Sequence, residues 1–101
     1  MNHDISIVGM SIKVPNADNI EQLWDIMKNK EVCTGKIPAD RWNAEALTPD
    51  VNWMGSIKDY NDFDPSFFRI SPREACHMEP QQKMILQEVW RCIEDSGIPL
   101  K

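Results

Sequence analysis

Positive charge is in the minority in this chain. Its 11 Lys+Arg stand against 16 Asp+Glu, a formal charge of −5. A protein that holds nucleic acid by neutralising phosphates carries the opposite balance. Long apolar runs are missing too. None approaches the roughly 18 residues that span a bilayer, which excludes a transmembrane helix. Met1-Asn2-His3-Asp4 lacks the charged and apolar blocks of a secretory signal, so the expected location is the cytoplasm. Cysteine is scarce: Cys33, Cys76 and Cys92 form neither a disulfide framework nor a CxxC zinc pair. With His3 and His77 they match no familiar ligand spacing, so no metal site is expected. Reduced cysteines buried as small hydrophobes are the expectation instead. Gly9 is isolated, and neither a GxGxxG nor a GKS/GKT sequence is present to cradle a phosphate. Apolar material, by contrast, is ample. A hydrophobic share of 42% and four Trp in 101 residues exclude disorder. The chain is one small domain or a piece of a larger one.

Residues 5–10, Ile5-Ser6-Ile7-Val8-Gly9-Met10, are apolar on both faces and read as a strand buried inside a sheet. Pro15-Asn16 then breaks the chain. Asp18 or Asn19 can cap a helix with Glu21 in its first turn and Lys28 and Lys30 at its far end. Its apolar face is Ile20, Leu23, Trp24 and Met27. Residues 31–70 lack sustained periodicity and are broken by Pro38, Pro49 and Pro65, with short extended pieces at most around Met54–Ile57. They nevertheless carry Trp42, Trp53, Tyr60, Phe63, Phe67 and Phe68, which need a surface to bury against. Ser71-Pro72-Arg73-Glu74 predicts a capping box on a short helical turn. A longer helix from Pro80 to about Ser96 follows, stopped by Gly97 and Pro99. Its apolar stripe is Gln82, Ile85, Leu86, Val89, Trp90 and Ile93; Glu79–Lys83 and Arg91–Asp95 are spaced as i,i+4 ion pairs.

Chemistry is hard to find in these elements. Cys76 and His77 are neighbours, but successive helical residues project about 100° apart, so they do not form a thiolate–imidazole pair. Asp59, Asp62 and Asp64 lie among aromatics, yet the glycine and terminal Glu of a calcium loop are missing. A turn before Pro65 is the better reading. Trp24 and Trp90 read as core; Trp42 and Trp53 could line a groove, but buried packing, the commoner fate of large aromatics, is the preferred reading. No residue is assigned a catalytic, cofactor-binding or metal-binding role. A strand buried on both faces also needs neighbours on both edges, and the chain offers few. Either weak segments pair, or the chain is part of a larger fold. The second is preferred.

Taken together the segments resemble a known family. In order come Ile7-Val8-Gly9-Met10-Ser11, Val14-Pro15-Asn16-Ala17, Leu23-Trp24, Ile37-Pro38-Ala39-Asp40-Arg41-Trp42 and Phe63-Asp64-Pro65-Ser66-Phe67-Phe68. Ile70-Ser71-Pro72-Arg73-Glu74-Ala75, Met78-Glu79-Pro80-Gln81-Gln82 and Glu94-Asp95-Ser96-Gly97 follow. This order resembles the N-terminal portion of the β-ketoacyl synthase (ketosynthase) domain of modular polyketide synthases, over residues 4–100. Departures are mild: Ile12-Lys13-Val14-Pro15 stands for the usual Gly-Arg-Phe-Pro, and Met54-Gly55-Ser56-Ile57 for a double glycine with an aromatic. Glu79 replaces the usual Asp and Lys83 the usual Arg.

The resemblance implies an α/β fold, the N-terminal fragment of a thiolase-like αβαβα domain. Residues 1–101 would supply one buried strand, an amphipathic helix, a long aromatic-rich loop and a long C-terminal helix. It further implies that the intact domain is a homodimer. Acting on phosphopantetheine-linked acyl groups of acyl carrier protein, that domain performs acyl transfer and decarboxylative Claisen condensation. The family's nucleophilic Cys and two His belong to a later part of the domain, so no catalytic residue carries over. The chain alone is expected not to catalyse, to bind no cofactor, nucleic acid or membrane, and to need the remainder of the ketosynthase as partner. It is also expected to self-associate, or to be only marginally stable, when alone. A truncation, half of a split ketosynthase and a small interaction module are the three open alternatives.

Overall fold

The computed structural model describes residues 3–99. Its elements are α1 (Ile20–Lys28), β1 (Thr34–Lys36), α2 (Ala44–Leu47), β2 (Trp53–Gly55), α3 (Pro72–Ala75) and α4 (Pro80–Ser96). They belong to two units. One joins the chain up to Ser11 with everything from Asp59 onward; the other is Ile12–Lys58.

The 12–58 unit opens on a tight turn. Val14 and Ala17 exchange backbone hydrogen bonds of 3.0 and 3.1 Å, with Pro15 and Asn16 between them. Asn16 takes φ +65°, the left-handed position that follows Pro in a type II turn. Asn19 then caps α1, its side chain accepting from the Gln22 N–H at 2.8 Å. Ile20, Leu23 and Ile26 are half-buried, whereas Trp24 and Met27 of the predicted apolar face are exposed. Beyond α1 the chain is more regular than its prolines suggest. β1 pairs antiparallel with β2, Gly35 opposite Met54, and Asn43 caps α2 between them.

The other unit is organised on α4. Ser71 caps α3 by accepting from the Glu74 N–H at 3.1 Å. Pro80 sits in the first turn of α4, and Gln82 Oε1 reaches back to accept from the Glu79 N–H at 3.0 Å. Gln82 is therefore a cap and not part of the apolar stripe. Gly97 ends the helix at φ +70°. Only the end of the predicted aromatic loop, residues 63–68, is seen packing on α4: Trp90 meets Phe67 edge-on at 4.8 Å, and Phe68 contacts both Phe67 and Phe63. Gln87 Nε2 donates to the Asp62 carbonyl at 2.8 Å.

Three expectations need correction. Residues 5–10 are neither a paired strand nor buried: Ile5 and Ile7 are 93% and 81% exposed. A ladder needs a neighbouring strand, and the two strands of the described residues pair only with each other. Trp24, read as core, lies 59% exposed because nothing in its own unit covers that side of α1. The i,i+4 ion pairs are replaced. Arg91 binds Glu88 at 2.7 Å, and Lys28 binds Asp25 at 3.4 Å, both at i,i+3 spacing.

Candidate functional site

Each candidate from the sequence can be placed within its unit. Cys33 precedes β1, Cys76 follows α3 and Cys92 lies on α4; all three are free thiols. None is buried, against expectation: Cys33 and Cys92 are half-covered and Cys76 is exposed, because no second layer of side chains closes over those positions. His77 is exposed beside Cys76 and donates its backbone N–H to the Glu74 carbonyl. Among the described residues no three His, Cys, Asp or Glu are grouped to hold a metal ion.

The acidic trio makes turns. The Asp59 carbonyl accepts from the Asp62 N–H at 3.0 Å, with Asp59 at φ +55°. Asp64 Oδ1 accepts from the N–H groups of Ser66 and Phe67 at 3.1 and 3.3 Å, folding the chain around Pro65. That carboxylate is spent on backbone donors, and it orients Phe67 toward Trp90.

Trp42 and Trp53 are not buried, against the preferred reading, and they separate. Trp42 lines an open cleft of about 390 Å³ in the 12–58 unit, with Lys36, Ile37, Asn43, Glu45 and Asn52. Its indole N–H donates to Thr48 Oγ1 at 3.0 Å. Trp53 instead donates to Thr34 Oγ1 across the hairpin at 3.2 Å and stays 58% exposed. The cleft offers a cation, a carboxylate and amides to a small polar molecule. No Cys, Ser or His lines it to act as nucleophile or proton shuttle.

One arrangement is foreshadowed in the sequence only by Gly9, whose missing side chain allows another backbone to approach closely. Along α4, Glu88, Cys92, Asp95 and Ser96 face residues 9–11. Asp95 Oδ2 accepts from the Met10 N–H at 2.9 Å, and Glu88 accepts from the Ser11 hydroxyl. Gly9 lies against the Cys92 carbonyl and Ser96. The available signal was the lone glycine closing an apolar segment; no periodicity links it to a helix some eighty residues later.

These elements contain a two-stranded ladder, capped helices and aromatic packing, but among the described residues no assembled catalytic set. Comparison with known proteins gives this architecture its place. Residues 2–101 match the family described as "Beta-ketoacyl synthase, N-terminal domain". The chain belongs to this family. It is 41% identical to polyketide synthase PksL of Bacillus subtilis (strain 168), over 93% of this chain and 2% of that protein. It is also 41% identical to the non-reducing polyketide synthase dbaI of Emericella nidulans, over 94% of this chain and 4% of the relative.

Solved structures agree. The ketosynthase from module 6 of the bacillaene synthase of Bacillus subtilis 168 superposes with a TM-score of 0.88 at 37% identity. That match covers 93% of this chain and 17% of the solved one. The oxazolomycin ketosynthase domain OzmH KS7 of Streptomyces albus JA3453 gives 0.84 at 37%, over 90% and 18%. The fold is therefore that of the N-terminal part of a thiolase-like polyketide-synthase ketosynthase. The chain spans less than a fifth of each of these solved ketosynthase chains. No helix among the described residues is long and apolar enough to cross a membrane.

Proposed function

We propose that residues 1–101 are the N-terminal segment of a polyketide-synthase ketosynthase and act there as scaffold, not as catalyst. In the completed domain, a cysteine beyond these residues takes the acyl chain from the phosphopantetheine thiol of acyl carrier protein. A carrier-bound extender unit then loses CO₂ and attacks that thioester. The segment itself holds no cofactor and supplies no reacting group. Its partners are the remainder of the ketosynthase, a second copy of the completed domain, and acyl carrier protein through that domain, all in the cytoplasm. The observation that carries this reading is the TM-score of 0.88 at 37% identity to a ketosynthase of which the chain covers 17%. Covalent catalysis needs nucleophile and base in one site, and among the described residues no hydrogen bond joins Cys33, Cys76 or Cys92 to a histidine, His77 included.

Incubation with acyl-loaded carrier protein, followed by intact-mass spectrometry, tests it. The chain alone stays unmodified, and mixing it with the complementary part of a ketosynthase gives an acyl thioester on the complementary part. An acylated Cys33, Cys76 or Cys92 above background would defeat the proposal. A second reading, half of a split ketosynthase, is favoured by the exposed segment 5–8, which offers unpaired backbone to a partner chain. Continuation of the reading frame distinguishes it from a single polypeptide.

A further inference from the structure

Residues 9–11 are fixed on α4 by three separate contacts, none of them strand pairing. A β-carbon at Gly9 would lie 2.5 Å from the Cys92 carbonyl oxygen and 3.0 Å from both Cβ and N of Ser96. Side chains never approach backbone that closely, so only glycine sits at this contact without displacing the segment. The Met10 N–H is held by Asp95 Oδ2 at 2.9 Å. The Ser11 hydroxyl donates to Glu88 Oε2, while Glu88 Oε1 accepts from Arg91 Nη1 at 2.7 Å. Glu88, Cys92, Asp95 and Ser96 recur at i, i+4, i+7 and i+8, so one helix face supplies every contact. Just upstream, Ile5, Ile7 and Val8 are 93%, 81% and 61% exposed. The chain passes from free to pinned within two residues.

We propose that Gly9, Asp95 and Glu88 form a clasp that fixes the register of the first extended segment on α4 before any strand pairs with it. A slip of one residue either way would bring Val8 or Met10 to the contact, and both carry the β-carbon it excludes. The same slip would exchange the faces of Ile5 and Ile7 with those of Ser6 and Val8. Gly9 thereby selects a single register, and the two carboxylates hold it. These are positioning residues. The clasp rests on contacts within this chain; its use in presenting a strand rests on the ketosynthase reading.

Backbone amide exchange on the full chain, followed by NMR, tests the clasp. The Met10 amide should exchange at least about tenfold more slowly than those of Ile5–Val8. Gly9→Ala and Asp95→Ala should each remove that protection. Asp95→Asn, whose side-chain oxygen still accepts, should keep it, and amides at the centre of α4 should stay protected in all three variants. A Met10 amide as fast as that of Ile7, or one left slow by both Gly9→Ala and Asp95→Ala, overturns the clasp. Association with the complementary part of the ketosynthase tests its use. Gly9→Ala should slow it about tenfold, and an unchanged rate overturns the register role. Acylation of the assembled wild-type domain tests the ketosynthase reading separately.

Discussion

At the scale of single residues, the ends of the helices were the most legible feature, because a cap is a local contract between a side chain and a backbone N–H. Asn19, Ser71, Pro80 and Gly97 all stand where their types predict. Asn19→Ala should cost about 1 kcal/mol, whereas Asn19→Asp should cost little; urea unfolding monitored at 222 nm checks both. Two glycines give opposite expectations. A β-carbon at Gly97 meets nothing within 4 Å, but its φ of +70° strains any L residue. Gly97→Ala should therefore lose about 1 kcal/mol from backbone conformation alone. Gly35 is equally open and has no such φ, so Gly35→Ala should be neutral or slightly stabilising, by reducing the freedom of the unfolded chain. The same urea titrations separate the two.

Elements were legible to the extent that their period was sustained. α1 and α4 were readable from their apolar spacing. β1 was not: Thr34-Gly35-Lys36 carries no alternating pattern, and its pairing with Trp53–Gly55 depends on contacts made nineteen residues away. The segment 5–10 was misread for the converse reason, since composition describes the sheet a segment is suited to and not the neighbours available to it. α4 shows how one helix serves two clients. Trp90 and Gln87 receive the aromatic loop, while Glu88, Asp95 and Ser96 hold the N-terminal segment. Trp90→Ala should release the loop at a cost of about 2 kcal/mol, less than for a fully buried ring because Trp90 is half-exposed. Near-ultraviolet circular dichroism should collapse while the helical signal persists. Loss of both signals together would mean that α4 depends on the loop.

At the scale of the whole molecule, the core is too small for the chain. Among the described residues the buried hydrophobics are Ala17, Ile37, Ala44 and Ala75, three of them alanine. The accessible surface is 8429 Å². A folded monomer of this mass exposes about 5,900 Å², and even two independent domains of half the mass about 7,100 Å². The excess is apolar in part, with Ile5, Ile7, Trp24, Met27, Ile85 and Val89 all more than half exposed. Sedimentation should therefore find association at micromolar concentration, or a broad, low-temperature melt. Adding the complementary part of a ketosynthase at a hundred times its dissociation constant should contribute about 2.7 kcal/mol and raise the melting temperature. A sharp monomeric melt indifferent to that addition would identify a self-sufficient module.

The exposure of α1 also gives the chain an optical reporter. Trp24 and Trp53 stand 59% and 58% exposed, in water that relaxes around an excited indole, so they emit at long wavelength and are open to quenching by iodide or acrylamide. Trp90, edge-on to Phe67 with its N–H on Glu94 at 2.6 Å, is the shielded counterpart. Covering α1 would take Trp24 out of solvent, shift the emission to the blue and leave fewer indoles accessible to quencher. With Trp42, Trp53 and Trp90 replaced by Phe, the colour of one indole would then record, in real time and without a label, the moment the exposed side of α1 is closed.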